Sequence, residues 1–371
     1  MTRICPAATV DTMSDTLGSP PAGFADGPRP PVAEAMARMF ERIAEPLALV
    51  ERALHDQLTS EIPLVGALSE HILSSGGKRL RPALLLLAAE LCGYTGPRRI
   101  GVAAAIEMLH TATLLHDDVV DGADLRRGEP SANAIWDNRR AVLAGDFLYA
   151  RSSLMIVEDG DEEILEVFAN SIQRLAESEL QQLDRSFDID LSERAYFEII
   201  DGKSAVLLSG ACLAGAILGG VTRAERRQVA AYGRDLGLAF QLKDDALDYD
   251  SASSVLGKPR YADLAEGKVT LPLILTLKRC TGTERGVIAA ALKTTGEHAR
   301  DPGIPKLGPR DDTPEIRAVA ELVDRYRGVA DTLRRADESI SRAIETIAAF
   351  PDSPAKQALV SAAVFAVSRD R

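Results

Sequence analysis

From about residue 33 to the C-terminus, apolar residues recur at the spacing of amphipathic helices almost without interruption. Convincing alternation of apolar and polar residues, which is typical of strands, is absent, and we therefore expect an all-α fold. Hydrophobic residues make up 46% of the chain but aromatic residues only 5%, which suits many helices packed through Ala, Leu, Val and Ile. Helices are expected at 34–57, 62–74, 79–93, 97–117, 131–138, 140–157, 161–184, 192–200, 204–219, 223–249, 270–279, 315–346 and 353–368.

The chain is expected to consist of a disordered tail over residues 1–32 and a single helical domain over residues 33–371. The tail is rich in Pro, Gly, Ala and Ser, and it cannot bury enough apolar surface to offset the entropy of ordering. No internal repeat at solenoid spacing and no linker interrupts residues 33–371.

Charge and cysteine content exclude several classes of protein. The net charge of −12 argues against a general nucleic-acid binder, which would present a basic face. The four cysteines are widely spaced and form no CxxC pair, which favours a reducing compartment. The longest apolar run, residues 205–221, falls short of the about 20 residues that a membrane span needs. We therefore expect a cytoplasmic protein in which this run is a buried core helix.

Two copies of an aspartate motif follow apolar helical stretches. The first lies in LLHDDVVD, with Asp117 and Asp121 four residues apart, so on a helix their Cβ atoms would be about 5–6 Å apart. Two like charges at that distance repel, and a divalent cation resolves the conflict; Mg²⁺ prefers such carboxylates together with phosphate oxygens. The second copy, FQLKDDALD, places Asp244 and Asp248 in the same way. A lone copy would more often be a solvated helix end, but two copies predict a metal cage around a diphosphate.

Separate basic residues predict a second phosphorylated substrate that binds without metal. Lys78 and Arg81 in GGKRLRP lie three residues apart at a helix start, and Arg126 and Arg127 follow the first aspartate motif. Arginine forms bidentate contacts with phosphate, whereas lysine supplies a point charge. Each pair by itself would be ordinary surface charge, so the prediction depends on the nearby aspartates.

Further candidates for phosphate contacts lie close to these motifs in the sequence. His110 is seven residues before Asp117, on roughly the same helix face, although a lone histidine is often a core residue. Lys203 and Ser204 open a helix whose N-terminal amides would favour an anion. A loop over 257–268 carries Lys258 and Lys268 and is expected to close over the diphosphate.

Together these residues resemble the trans-isoprenyl diphosphate synthase family, in particular its long-chain octaprenyl, decaprenyl and solanesyl members. The motifs GGKRLRP, LLHDDVVDGADLRRG, GDFLYAR, GKSA and QLKDDALDY have the family's order and spacing, and the match runs from about residue 40 to the C-terminus. The resemblance implies an isoprenoid synthase helical bundle around a central cavity, usually a homodimer. It also implies head-to-tail condensation of isopentenyl diphosphate with an allylic diphosphate.

The resemblance assigns roles to individual residues. It implies three Mg²⁺ ions, with Asp117, Asp121, Asp244 and Asp248 as their ligands. The implied catalytic residues are these four together with Asp118, Asp245 and Lys203. Its implied isopentenyl diphosphate site is Lys78, Arg81, His110 and Arg127. Its implied allylic diphosphate site is Arg126, Lys203, Ser204, Gln241, Lys258 and Lys268. Two departures are Ser204, where threonine is commoner, and Ala262, where long-chain relatives often have aspartate.

The residues just before the first aspartate motif are expected to set product length. Family members with short products have aromatic residues four or five positions upstream, where this chain has Thr113 and Ala112, with Met108 one turn deeper. The resemblance therefore implies a long-chain product of roughly C40–C50, for a quinone side chain such as that of ubiquinone. We expect no membrane span, but transient membrane contact for product release.

Four alternatives remain open. A shorter-chain synthase, making geranylgeranyl or farnesyl diphosphate, differs only in cavity depth. A terpene cyclase would have a different second metal motif and no basic isopentenyl site. A regulatory subunit of a heteromeric synthase would usually have degraded aspartates. A purely structural helical bundle would have no reason to keep these residues.

Overall fold

The described part of the chain is helical except for two short strands, as the spacing of apolar residues predicts. The computed structural model describes residues 37, 39–59, 61–74, 79–126, 128–249, 261–300 and 313–368. All of them belong to one compact unit, Pro31–Arg371. The predicted tail over 1–32 and the predicted site residues Lys78, Arg127 and Lys258 lie outside the described residues.

The helices follow one another with short connections. The first eight are α1 (Ala44–Gln57), α2 (Pro63–Ser74), α3 (Leu80–Leu91), α4 (Arg98–Asp121), α5 (Ala132–Trp136), α6 (Asn138–Asp159), α7 (Glu162–Asp184) and α8 (Glu193–Ile200). A π-helix, Asp201–Ala205, joins α8 to α9 (Val206–Leu218). The remaining helices are α10 (Arg223–Asp248), α11 (Ala262–Ala265), α12 (Leu271–Leu277), α13 (Gly282–Arg300), α14 (Pro314–Arg325), α15 (Gly328–Thr346) and α16 (Pro354–Ser368). Strands β1 (Leu125–Arg126) and β2 (Glu129–Pro130) pair antiparallel.

Several predicted boundaries are wrong for identifiable reasons. The single helix expected over 315–346 is two helices, because Arg327 takes a left-handed conformation (φ 58°) between α14 and α15. The helix expected over 97–117 continues to Asp121, so the whole first aspartate motif is helical. The sequence also did not predict α13 or the β1–β2 pair, and the loop expected over 257–268 contains α11. Helix α11 depends on hydrogen bonds from its first residues to Asp248, and β1–β2 is a pair of two-residue strands too short to show a period.

Helix α9 lies at the centre of the fold. Ten of its thirteen residues are buried, and it packs against α3 and α10. Within the described residues, one helical run, Glu193–Leu218, is long and apolar enough to cross a membrane, but 67% of its most apolar window is buried inside the protein. Such burial is typical of a core helix, as expected for residues 205–221.

Two apolar clusters meet along α9 and α10. Ala205 and Leu242 belong to one cluster, which includes α12 and α14. Leu207 and Ala239 belong to the other, which includes α3, α4 and α7. Because the π-helix and the last turns of α10 lie at this junction, polar side chains on them are close to both halves of the core.

Small residues bring the central helices into close contact. A Cβ atom on Gly215 of α9 would lie 2.6 Å from the backbone oxygen of Leu85 and 2.8 Å from the backbone nitrogen of Ala89. Gly233 of α10 is similar, since its Cβ would lie 2.5 Å from the backbone oxygen of Leu208. Backbone atoms cannot move aside as the end of a flexible side chain can, so these contacts require glycine.

Gly215→Ala should therefore lower the free energy of unfolding, by about 1–3 kcal/mol, because the new methyl group overpacks the contact between α9 and α3. Gly101→Ala in α4 is the matched control, since a Cβ there meets nothing within 4 Å. It should raise stability by about 0.5–1 kcal/mol through the helix preference of alanine. Urea unfolding of both variants measures whether the free energy of unfolding falls or rises. A Gly215→Ala protein as stable as Gly101→Ala would contradict the close packing.

Candidate active site

Both aspartate motifs form the last turns of long helices. Asp121 is the final residue of α4, which Gly122 ends in a left-handed conformation (φ 63°). Asp248 is the final residue of α10, whose start is fixed by a capping box between Thr222 and Glu225. Two rigid helices therefore deliver two groups of carboxylates.

Lysine side chains connect the two motifs. Lys268 places its Nζ 3.6 Å from Asp121 Oδ2 in the first motif and 2.6 Å from Glu266 Oε2. The charge of Lys268 also acts on Asp263, which in turn interacts with Asp244 in the second motif. Lys203 acts on both Asp117 and Asp263. The structure therefore brings the two motifs to one site, as the sequence predicts.

Two neighbouring aspartates of the first motif differ in their surroundings: Asp117 has a raised pKa, and Asp118 pairs with an arginine. Burial raises the pKa of Asp117 to about 6; Lys203 acts to lower it, while Glu179 and Asp121 raise it further. The neighbouring Asp118 is buried and accepts hydrogen bonds from Arg126 Nε at 2.8 Å, and it forms an ion pair with Arg126 Nη2 at 2.6 Å. Asp118 thus holds Arg126 in place.

The second motif is anchored by a buried hydrogen-bond network. Asp245 accepts hydrogen bonds from the Tyr196 hydroxyl and, at 2.7 Å, from Gln241 Nε2. The Ser204 hydroxyl donates to Gln241 Oε1, so the π-helix is tied to the motif through two side chains. Burial raises the pKa of Asp245 to about 8, and the charge of Asp263 raises it further.

Asp248 holds the N-terminus of α11. Its Oδ1 accepts the backbone N–H of Ala262 at 3.0 Å and its Oδ2 accepts the N–H of Asp263 at 3.3 Å. Burial raises its pKa well above the ordinary value, and Asp263 adds to this effect. Each oxygen of Asp248 therefore already has a partner, so any metal contact it makes must share these oxygens with α11.

Three residues of the site were missed by sequence reasoning. Glu179 on α7 pairs with Lys203 Nζ at 2.6 Å, and its other oxygen, Oε1, is buried without a hydrogen bond. Asp263 is half-buried beside the carboxylates of the second motif, and desolvation raises its pKa to about 6. Tyr196 lies in a helix with no motif. The one signal for Asp263 was its neighbour Ala262, which stands where long-chain relatives often have aspartate.

One cavity collects most of the residues predicted for the allylic diphosphate. Lys203 and Ser204 line it from the π-helix, Gln241 from α10 and Lys268 from the loop after α11. The expectation that Lys203 and Ser204 open a helix is wrong, because α8, the π-helix and α9 are continuous and offer no helix N-terminus here. Single π turns of this kind are frequent at functional sites. The predicted set is thus brought together, except for Arg126 and the undescribed Lys258.

A second cavity is lined by other residues. His110, Arg79 and Arg126 line it together with Glu107, Asp118 and Glu129. Arg79 is held there by an ion pair with Glu107 at 3.1 Å, and Arg126 by one with Asp118. His110 therefore faces a cavity of mixed charge separate from the first one, while Arg81 lies half-buried in the first turn of α3.

The residues predicted to set chain length do not all share one surface. Met108 and Ala112 are buried in helix packing, at 1% and 2% exposure. Thr113 lies one turn from Asp117 on the same face of α4, and its hydroxyl donates to the backbone oxygen of His110. Farther along that face, Ile106 and Val102 line an apolar cavity, whose other walls are Ile156 of α6, Ile164 and Phe168 of α7, and Leu207, Gly210 and Ala214 of α9.

The carboxylates fit a divalent cation that is shared with a ligand. Burial raises the pKa of Asp117, Asp245 and Asp248, so their charged forms are costly until a positive charge arrives. Within the described residues, no group of three or more His, Cys, Asp or Glu side chains could hold a metal ion by itself. Magnesium commonly binds one or two carboxylates and completes its shell with water and phosphate oxygens.

The fold and site are those of an isoprenoid-type prenyltransferase, and comparisons identify the family. The polyprenyl synthetase family model matches residues 62–302. The octaprenyl diphosphate synthase of Escherichia coli is 39% identical over 91% of this chain and 99% of its own length. The geranyl-diphosphate-specific all-trans-nonaprenyl-diphosphate synthase of Rhodobacter capsulatus is 37% identical over 88% of this chain and 96% of its own.

A solved structure agrees with these relatives. The polyprenyl synthase of Caulobacter crescentus, crystallised with calcium and isoprenyl diphosphate, superposes with a TM-score of 0.82 at 39% identity, covering 91% of this chain and 98% of that one. The chain belongs to the polyprenyl synthetase family. The predictions of an all-α isoprenoid synthase fold and of a long-chain trans-polyprenyl diphosphate synthase are thereby confirmed.

The buried carboxylates predict how pH changes the stability of the metal-free protein. The pKa of Asp245 is about 8 in the folded state and near the ordinary value when unfolded, so between about pH 4 and pH 8 the folded state binds more protons. Its contribution to stability is present at low pH and is lost as pH rises through that window. Asp245→Asn cannot ionise and should be more stable than the unchanged protein at pH 8, by at least about 1 kcal/mol.

Urea unfolding in EDTA at pH 5 and pH 8 measures this difference, which should favour Asp245→Asn more strongly at pH 8. Asp352→Asn is the matched control, because the Asp352 side chain is 94% exposed. An Asp245→Asn variant whose stability difference is the same at both pH values would show that burial does not hold this carboxyl protonated.

Proposed function

We propose that this synthase extends an allylic diphosphate with isopentenyl diphosphate, head to tail, to an all-trans product of roughly C40–C50 for a quinone side chain. The observation that carries the proposal is the arrangement of the two cavities. Asp245, Asp263, Lys203 and Lys268 line one of them, and Arg79, Arg126 and His110 line the other together with Glu107, Asp118 and Glu129. This arrangement suits two diphosphates, of which only one is bound through metal.

Three Mg²⁺ ions are proposed between the two aspartate motifs, held by Asp117, Asp121, Asp244 and Asp248. The buried, charge-crowded carboxylates support a divalent cation, and the calcium in the Caulobacter structure is a hard cation with the same preference for oxygen ligands. When bound, the ions would neutralise the departing diphosphate. Asp248 would contribute the least directly, since both of its oxygens accept N–H groups of α11.

The cationic side chains would do the remaining electrostatic work. Lys203 and Lys268 lie beside carboxylates of the first motif and beside Asp263, so they would face the negative charge that develops on the allylic diphosphate as its C–O bond breaks. His110 and Arg81, with Lys78 and Arg127, would hold isopentenyl diphosphate so that its double bond attacks the allylic carbon. The departing diphosphate would accept the proton that is then lost. Preorganised charge of this kind is a large term in catalysis.

The apolar cavity supports a long product. Asp117, Thr113, His110, Ile106 and Val102 follow one another on one face of α4, so the apolar lining at Ile106 and Val102 reaches about 22 Å from the diphosphate site. Lys203 and Gly210 are placed similarly on the π-helix and α9, which form the opposite wall. Within the described lining, the first aromatic residue is Phe168, on the deep part of α7. A shorter geranylgeranyl or farnesyl product is the main competing outcome.

The deciding experiment incubates the purified full-length protein with isopentenyl diphosphate, an allylic primer and Mg²⁺, and measures product chain length. Elongation to roughly C40–C50 is expected. Asp117→Asn should lower kcat by at least about 100-fold, as expected when a group that stabilises transition-state charge is lost. Asp352→Asn, far from both motifs in sequence and exposed, should retain full activity.

Two results would count against the proposal. If the folded, unchanged protein elongates no allylic primer, it is not a chain-elongating synthase. If Asp117→Asn keeps near-normal turnover, the metal role of the first motif is wrong. Cyclised products would point to a terpene cyclase, and activity only after a second polypeptide is added would point to a subunit of a heteromeric synthase.

We further propose that the enzyme is a cytoplasmic homodimer that contacts membranes only transiently. An exposed apolar face on α6 supports the dimer: Leu143 is 66% and Val157 58% exposed, and Leu154 lies on the same face. Tyr149 and Val142 extend this face. Contiguous apolar patches of this kind mark interaction sites, and a two-fold dimer is the commonest way to close them.

Leu143→Glu should convert the dimer to a monomer at micromolar concentration, because it places a charge at the most exposed point of the α6 face. Size-exclusion chromatography with light scattering measures the mass. Val287→Glu on α13 is the matched control, since Val287 is also exposed, at 41%, and lies far from α6 in the chain. An unchanged protein that is monomeric, or a Leu143→Glu variant that stays dimeric, would contradict the proposed face.

A further inference from the structure

Three of the helix segments that line the apolar cavity lead, within one turn, to a group of charges that the site described above does not use. Arg98, in the first turn of α4, donates from Nε to Asp159 Oδ1 at 3.0 Å and from Nη2 to Asp159 Oδ2 at 2.6 Å. The same Nη2 donates to Asp161 Oδ2 at 3.0 Å. These three residues form what we call the Arg98 cluster.

Three helices place this cluster next to the cavity. On α4, Arg98 is one turn before the cavity residue Val102, about 6 Å along the helix axis. On α6, Asp159 is three residues after the cavity residue Ile156. Asp161 is three residues before Ile164, the first cavity residue of α7. On each of these three segments, a residue of the Arg98 cluster therefore follows the cavity lining within about one turn.

The cluster cannot easily move aside. The side chain of Asp159 is only 8% exposed, and Asp161 also accepts the backbone N–H groups of Glu163 and Ile164 as the cap of α7. Arg98 is 42% exposed, so the cluster separates the apolar interior from solvent. An apolar chain end that advanced past Val102 would displace water from these charges, or would break a pair and leave Asp159 unneutralised, and both are costly.

We propose that the Arg98 cluster is a specificity-determining element that stops growth of the polyprenyl chain. The inference rests on the proposed elongation activity and on the apolar cavity as the place where the chain lies. Each isoprene unit added at the diphosphate end pushes the chain end deeper along α4. Growth slows when the chain end meets the cluster, because further addition requires desolvation of its charges, and the product is then released.

The test replaces Arg98 and Asp159 together, so that neither of these two is left unpaired; Asp161 loses its ion pair with Arg98 but is partly exposed, at 25%, and keeps its backbone partners. Arg98→Ala/Asp159→Ala removes charge and bulk, while Arg98→Gln/Asp159→Asn removes charge but keeps hydrogen-bonding side chains of similar size. Asp161 stays in place in both variants, so α7 keeps its cap. Mass spectrometry of the products should show a main product longer by at least one isoprene unit, with the larger shift in the alanine variant.

Arg194→Ala/Glu198→Ala is the matched control, because it removes an ion pair at 2.9 Å on the exposed surface of α8. Its product length should not change. A purely structural role for the Arg98 cluster would lower the melting temperature and the total turnover of the variants but leave product length as it was.

An unchanged or shorter main product in either folded double variant overturns the inference. If the alanine variant does not fold, the Arg98→Gln/Asp159→Asn variant decides by the same readout. Failure of the unchanged protein to elongate any primer is a different result, since it refutes the proposed activity itself. An unchanged protein that makes polyprenyl diphosphates while both variants keep its product length refutes only the role of the cluster.

Discussion

The crowding of buried carboxylates at the ends of α4 and α10 is the constraint on which the rest of the structure depends. Burial raises the pKa of Asp117, Asp245, Asp248 and Asp263, so the folded protein holds these groups at a cost. The close packing of the core offsets this unfavourable free energy, since glycines let α9 pack directly on the backbones of neighbouring helices. Stability and function are thus opposed at the site, as is common where binding energy is stored.

The surrounding residues keep these carboxylates in place without neutralising them fully. Tyr196 and Gln241 donate hydrogen bonds to Asp245, and the N-terminus of α11 donates to Asp248. Lys203 is held by Glu179 close enough to act on Asp117. The lysine charges are therefore positioned before substrate arrives, and an incoming diphosphate with its cations completes an arrangement that is already oriented.

Most helices and both aspartate motifs could be predicted from the local sequence. The long-range ion pairs of the site could not. The aspartate motifs and most helices are local patterns, in which residues three or four apart share a face. Glu179 pairs with Lys203 across 24 positions, and Arg98 with Asp159 across 61. Partners so far apart leave no periodic signal, so the charge partner of Lys203 and the end of the apolar cavity emerged only from the folded chain.

The sequence by itself determined the all-α architecture, the two diphosphate-binding motifs and the family, because helical periodicity and short motifs are properties of neighbouring residues. Only the tertiary structure decided which groups face one another. It showed that Asp118 holds Arg126, that Asp248 holds α11, and that Ile106 and Val102 of α4 line an apolar cavity one turn from Arg98. These are consequences of how helices distant in the chain pack together, and packing depends on shape and burial that no single segment encodes.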